Sequence, residues 1–491
     1  MNGLPSTRAR RPLRIGFIVV VRAAFKGDAE DVARRARVWL EEEGPALGFD
    51  LVAAPNLVDD AEEATRAAAW AEGCDLDYLL LLHATFATGD LMAPLLRAHR
   101  HVGVWAVPER EGLAGRRPGT RPDADPLPLN SVCGLNMTLS YLDHTHISRP
   151  PSATTKWFFG APGDAPLRRR FTTTTRALHA LVALADARVL QIGGTAPHFY
   201  GLEERPALAG VHVATLELRE LYEVMARPSD RDVEAHADAW ARMEQLEAPR
   251  EHLLVAARTE LALATLARDG GYDALALRCW PEFPERCGGM ACAAVGAMAD
   301  RRLPTACEGD VMGAVSMLAL QAAADAPSAL MDLSDLDAER DRLLLWHCGN
   351  APRTFAAASG TRLTTHFNRD GVGVVRDMTL APGPATGFRL LDGGARAVVL
   401  SGTLGDPSER GFDGVRGWWH ALQWDGVARR ADEVVAQMLD ERLPHHLALA
   451  PGEHTEALHE LTVLLGGAVV PARRVRDALR GPHDVEVLGG A

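Results

Sequence analysis

No stretch of this sequence stays apolar for the roughly 18 residues that a membrane-crossing helix needs, so no membrane span or membrane partner is expected. The opening residues also lack an apolar core followed by a small-residue cleavage site. Their one apolar run, "IGFIVVV", reads as a strand, and secretion is not expected. Cysteine is scarce: seven residues (Cys74, Cys133, Cys279, Cys287, Cys292, Cys307 and Cys348) are spread through 491. An odd, scattered set predicts reduced thiols and a cytoplasmic setting rather than a disulfide framework. Cys287 and Cys292 lie close together, but no second close pair follows, so packing fits them better than zinc. Positive charge is also in deficit, with 52 Lys and Arg against 65 Asp and Glu and a net charge of −13. That excludes nucleic acid as the main partner, because phosphate binding needs a basic surface. The basic cluster Arg8, Arg10, Arg11 and Arg14 reads as a solvated tail. No internal repeat or low-complexity tract occurs. The "GG" at 193–194 lacks the G-x-G-x-x-G spacing, which points to a tight turn rather than a phosphate loop.

What is present suits an ordinary globular enzyme of two to four domains: 47% apolar and 24% charged residues. "LRIGFIVVV" at 13–21, "DYLLLLH" at 77–83 and "HVGVWAV" at 101–107 read as buried strands, with a helix over 29–43. This alternation predicts a parallel sheet covered on both faces. Residues 108–128, rich in Pro, Gly and charge, read as a long loop. The pattern restarts with strands in "RVLQIGG" (188–194), "VHVATLEL" (211–218) and "YDALALRCW" (272–280), separated by a long charged helical stretch over 230–268. From about 350 short β-rich runs punctuated by Gly, Pro and Asp predict an antiparallel, barrel-like region, followed by a helix over 456–468. The expected fold class is therefore α/β: two Rossmann-like parallel-sheet domains, residues 1–170 and 171–340, then a β-rich domain, 341–491, that completes the site.

Three apolar runs end in a chemistry-bearing residue: "LPTACEGD" at Glu308, "SALMDLSD" at Asp332 and "LLLWHCGN" at His347. In an open α/β sheet the carboxyl ends of neighbouring strands converge on the binding crevice. Two carboxylates and an imidazole arriving there make a divalent-metal site. Mixed O/N ligation suits Mn²⁺, with Mg²⁺, Fe²⁺ and Co²⁺ as alternatives. "LPHHLALAPGEH" adds His445 and His446. On an extended segment these point to opposite faces, so one of the two is expected to enter the site. Asp310, at the start of the helix after Glu308, reads as favourable charge at the helix N-terminus.

These stretches, "CWPEFPERCGGMACAAVGAMADRRLPTACEGDVMGAVSMLALQ … MDLSD … HCG" with the "HH" segment, resemble the L-fucose isomerase and L-arabinose isomerase superfamily. The motif-dense part covers about 279–350 and 440–466. The resemblance implies a metal held by Glu308, Asp332 and His446, with His347 matching a histidine of the arabinose type. It also implies a hexameric homo-oligomer, in which the region around Arg22 reaches a neighbouring subunit's site. The second acid is Asp as in the fucose type, whereas His347 and the His-His pair follow the arabinose type, so the sugar stays open.

The chemistry expected is an aldose–ketose isomerisation through an enediolate, with Glu308 and Asp332 as acid and base and the metal polarising O1 and O2. Alternatives are another reaction on the same platform, such as epimerisation or biosynthetic tailoring, and a non-catalytic sugar-binding protein. Trp280, Glu282 and Arg22 are the candidate substrate contacts. Arg278, Trp280, Glu282 and Glu285 are expected on a proline-stiffened loop suited to a polar sugar other than L-fucose or L-arabinose. "GWWHALQW" at 417–424 either lines the pocket or packs in the core.

Overall fold

The computed structural model describes residues 11–109, 127–142, 147–409 and 411–473. Most of the 108–128 loop, and Arg8 and Arg10 of the expected tail, lie outside them. The described residues form two compact units, one of 11–182 with Val463–Gly466, the other of 183–462 with 467–473.

The first unit is a doubly wound α/β sandwich. Its strands β1 (Leu13–Val20), β2 (Phe49–Ala53), β3 (Tyr78–His83), β4 (His101–Ala106) and β5 (Thr154–Phe159) form one parallel sheet in the order 2-1-3-4-5. β1, β3 and β4 are buried almost throughout, which is why they read as unbroken apolar runs. The helix predicted over 29–43 runs Ala29–Leu47; Asp28 caps its start and Gly48, at φ 72°, ends it. Two members of the expected basic tail are anchored instead. Arg11 forks onto both oxygens of Asp77 at 2.6 and 2.7 Å, and Arg14 lies within β1.

The second unit joins a parallel sheet to a closed barrel. Strands β6 (Arg188–Ile192), β7 (His212–Leu216), β9 (Ala274–Leu277) and β10 (Thr305–Ala306) are parallel, in the order 10-9-6-7. Gly193 and Gly194, at φ 80° and 76°, make the tight turn expected after β6. The predicted helical stretch 230–268 is two helices, Asp230–Met243 and Arg250–Gly270. A short strand, β8 (Gln245–Leu246), interrupts them and pairs in parallel with the barrel's extension. Pro249 stands where the helix would have continued, and its ring cannot follow a helical turn.

The barrel is built from β11 (Ala329–Asp337), β12 (Arg342–His347), β15 (Gly383–Leu391), β16 (Arg396–Leu404), β17 (Val415–Trp424) and β19 (His446–Pro451). Antiparallel pairing runs β16-β15-β19-β11-β12-β17 and back to β16, so the sheet closes on itself. β13 (Arg362–Thr365), β14 (Val374–Thr379), β18 (Val427–Ala428) and β20 (Ala468–Val469) extend it. The "GWWHALQW" segment is β17, and its Trp419 and Trp424 are fully buried core. A side chain at Gly402 would come within 2.7 Å of the Trp419 indole nitrogen, so that glycine makes room for the ring.

The barrel begins at β11, so Asp332 and His347 arrive on antiparallel barrel strands, not at the carboxyl ends of parallel ones. Apolar length does not distinguish the two kinds of strand, because β12 of the barrel is buried on both faces as β3 and β4 of the parallel sheet are. The helix Val311–Ala324 is buried from Val311 to Ala323. It packs against β9 on the parallel-sheet side and against β15 and β19 of the barrel. A helix enclosed on all sides must be apolar all round, as this one is.

Candidate metal centre

β10 is only two residues long, and the chain leaves it through a 3-10 turn, Cys307–Gly309. Glu308 sits in this turn with φ 59° and ψ 14°, a left-handed conformation that costs a non-glycine residue about 1–2 kcal/mol. Its neighbours hold it there. The backbone N–H of Ala196 donates to the Glu308 carbonyl at 2.8 Å. Gly309, at φ 73°, lies so close to the β6 turn that a Cβ would be 2.0 Å from the Gly194 carbonyl oxygen. Strain of this kind persists where the surroundings over-determine it, and it concentrates at functional sites.

The barrel supplies the facing groups. Asp332 and His446 are register partners on β11 and β19. Directly opposed residues of an antiparallel ladder project to the same side. His347 ends β12, one residue beyond Trp346, which is the other register partner of Asp332. Two overlapping groups result, Glu308–His445–His446 and Asp332–His347–His446, each with its donor atoms within 4.8 Å of one another. His446 belongs to both.

His446 is oriented from behind. Its Nδ1–H donates to Asp310 Oδ2 at 2.9 Å, which leaves Nε2 with a free lone pair facing Glu308 Oε2 at 3.6 Å and Asp332 Oδ1 at 3.7 Å. His446 Nε2 and Asp332 Oδ1 are buried and have no hydrogen-bond partner among the described residues. Asp310 also caps the helix Val311–Ala324 by accepting from the Gly313 N–H at 2.8 Å. Burial alone would raise the Asp310 carboxyl, but the Arg389 guanidinium and His446 outweigh it and hold it far below the usual range. The helix-start reading of Asp310 therefore holds, and it missed the larger task of fixing a ring.

Burial likewise opposes ionisation of Glu308. The hydrogen bond from His445, with the nearby His446 and His347 rings, outweighs burial and lowers the carboxyl. His445 Nε2 stands 3.3 Å from Glu308 Oε2. Both adjacent histidines therefore approach Glu308, contrary to the expectation that only one would, because His445 lies just before β19 and is free of its alternation. His347 differs from His446. Its Nδ1 accepts the Cys348 backbone N–H at 2.8 Å rather than facing a carboxylate, and it offers one ring nitrogen within 4.8 Å of the Asp332 and His446 donor atoms.

The structure thus gathers Glu308, Asp332, His446 and His347. Trp280 stands near them: its ring meets Phe199 edge-on at 5.5 Å, and Phe199 lies 5.7 Å from the His445 ring. His198 to Leu202 and His445 line a cleft of about 350 Å³. Glu282 is not on a loop. It begins the helix Glu282–Cys287, and Arg278 binds it at 2.7 Å, so it is neutralised; Glu285 is exposed. Arg22 belongs to the first unit. It follows β1 at the point where the 2-1-3 strand order reverses, and its guanidinium donates to Thr88 Oγ1 at 2.8 Å. Sequence reasoning missed Arg389, His445 as a second contact to Glu308, and the 194–202 segment. A single arginine in the apolar run "TGFRLL" was the one available signal for Arg389.

No family model matches the chain. Among curated proteins it is similar to the sulfoquinovose isomerase of Priestia megaterium, 26% identical over 471 residues, 91% of this chain and 97% of that one. The sulfoquinovose isomerase of Priestia aryabhattai aligns with the same figures. That of Alkalicoccus urumqiensis is 27% identical over 411 residues, covering 80% of this chain and 86% of the relative. Likeness to sugar isomerases along nearly the whole chain supports an enzyme of that kind, an aldose–ketose isomerase.

Proposed function

We propose that this chain is a divalent-metal-dependent aldose–ketose isomerase whose substrate is sulfoquinovose, a hexose with a sulfonate at C6. The observation that carries the metal reading is the buried, unpartnered pair His446 Nε2 and Asp332 Oδ1, which converge with Glu308 across 3.6–3.7 Å. Isolated buried donors and acceptors are costly, and a cation would satisfy all three groups at once. Glu308, Asp332 and His446 would hold it; two carboxylates and one imidazole suit Mn²⁺ or Mg²⁺. When bound, such an ion polarises the sugar's O1 and O2 and favours the negative charge that develops there.

The protein's own groups then divide the proton work. Glu308, kept ionised by its histidine neighbours, takes the proton from C2 of the open-chain aldose and returns it to C1. Asp332 accepts and releases the hydroxyl proton as the carbonyl moves from C1 to C2. His347 is the fourth member of the set, beside Asp332 and His446. Asp310 keeps the His446 lone pair aimed inward. The ancestry with L-fucose and L-arabinose isomerases belongs to the same proposal, resting on the Glu308–Gly309–Asp310 turn and the two histidines.

The test is proton NMR in deuterated water with Mn²⁺ and sulfoquinovose. Ketose formation with deuterium entering at the C1/C2 position is expected. Glu308→Gln should lower turnover by roughly 10²–10⁴-fold, the usual worth of a general base. A variant keeping more than about a tenth of the rate would remove Glu308 from proton transfer.

A further inference from the structure

The segment His366–Gly373 lies between two arms of the site. On one side Phe367 packs edge-on to Trp346 at 5.9 Å, and Trp346 stacks on His347. On the other, the Arg369 guanidinium lies 5.0 Å from the centre of the Trp280 ring, and Trp280 leads through Phe199 to His445. The segment is tied to itself, with His366 N–H bonded to the Gly373 carbonyl at 3.1 Å and Val372 N–H to that of Arg369 at 2.8 Å.

Two arginines lie close to Trp280, and their charges are treated differently. Arg278 is matched by Glu282 at 2.7 Å. Arg369 forms no ion pair among the described residues, and its Nε is buried without a hydrogen-bond partner. A half-buried guanidinium on an indole face gains from the ring but leaves its N–H donors unspent. Loss of hydration without a counter-charge is costly, so the position favours an anion arriving with the substrate. The planar fork suits two oxygens of a tetrahedral oxyanion, and one guanidinium matches the single charge of a sulfonate. The chain as a whole is acidic, so an anionic sugar needs such a local receptor.

We infer that Arg369, seated on Trp280, is the specificity-determining residue that binds the sulfonate at the far end of the sugar from the metal centre. This deepens the isomerase reading and rests on it. The experiment measures kcat and KM for sulfoquinovose and for glucose with the wild type, Arg369→Met and Arg369→Lys. Calorimetric binding of both sugars to the same proteins runs beside it. Arg369→Met should raise KM for sulfoquinovose and cut its preference over glucose by roughly 10–150-fold, the range for one charge-assisted contact. kcat should change far less, and lysine should restore part of the preference. The inference is overturned if Arg369→Met leaves the ratio of the two sugars unchanged, whether both fall together or neither does. It is also overturned if the wild type binds both sugars equally. Absence of turnover with sulfoquinovose would defeat the isomerase reading alone, because the binding ratio still decides the role of Arg369.

Discussion

Asp310 carries two duties that pull on the same carboxylate. It closes the first turn of the helix Val311–Ala324, and it fixes the tautomer of His446. It can do both because Arg389, itself buried, donates to both of its oxygens. Arg389→Met would leave that carboxylate buried without its strongest counter-charge. A loss of about 3–5 kcal/mol in urea unfolding is expected, partly recovered in the double variant with Asp310→Asn. Glu308, Asp332 and the histidines were legible in the sequence because each interrupts or ends an apolar run. Arg389 interrupts an apolar run too, but its task stayed hidden, since its partner lies 79 residues away and no local pattern links them. The pairing of Glu282 with Arg278 was hidden for another reason: two prolines suggested a loop where the chain makes a short helix.

At the scale of elements, the turns after β6 and β10 act as a matched pair. The first contributes Gly193 and Gly194 and the second Gly309, all with positive φ, and they meet backbone to backbone at Gly194 and Gly309. Gly309→Ala adds a methyl with no space and a backbone strain of about 1–2 kcal/mol. The expected result is loss of turnover and weaker Mn²⁺ binding, while the near-ultraviolet circular dichroism of the buried barrel tryptophans is kept. Unchanged activity would show that this contact does not position Glu308. The buried parallel strands were readable from apolar runs alternating with helices, whereas β2 and β5, only partly buried and less apolar, were not read. The placement of β11 and β12 in the barrel was not, because strand partners are chosen by packing at long range and an apolar run does not name them. β8 was missed because two residues between two helices carry no periodicity.

At the scale of the whole molecule, the two units respond to different conditions. In the first, burial holds the His83 imidazole down at about 4, against a smaller opposing effect of the Thr85 backbone. In the unfolded chain the same group titrates near 6.5. Between those values the unfolded state takes up a proton that the folded state refuses, so stability falls as pH falls through this window. Unfolding should cost about 2 kcal/mol less at about pH 5 than at about pH 7 through His83 alone, measured by hydrogen exchange in β3. His83→Gln should reduce that dependence and leave the share of His101, which burial likewise holds down, to about 3. The second unit should respond to metal. A chelator is expected to lower its melting temperature, and Mn²⁺ at about 100 times its Kd to restore about 2.7 kcal/mol. No change on either treatment would argue against the metal centre.

The link from β8 to β13 has a further effect, in the time it takes to make the protein. Glu244, just before β8, neutralises the fully buried Arg376 on β14 with two bonds of 2.8 Å across 132 residues of chain. At about 5–20 residues per second, a ribosome delivers Glu244 roughly 7–26 s before Arg376 exists. Through that interval the helix Asp230–Met243 lacks its partner strand and its counter-ion, and the apolar residues meant to face β13 and β14 stay uncovered. In that interval the strands of the first parallel sheet have all been made, and the second sheet is still waiting for the barrel. Synonymous codon changes that slow translation between 245 and 376 should lower soluble yield without altering a single side chain.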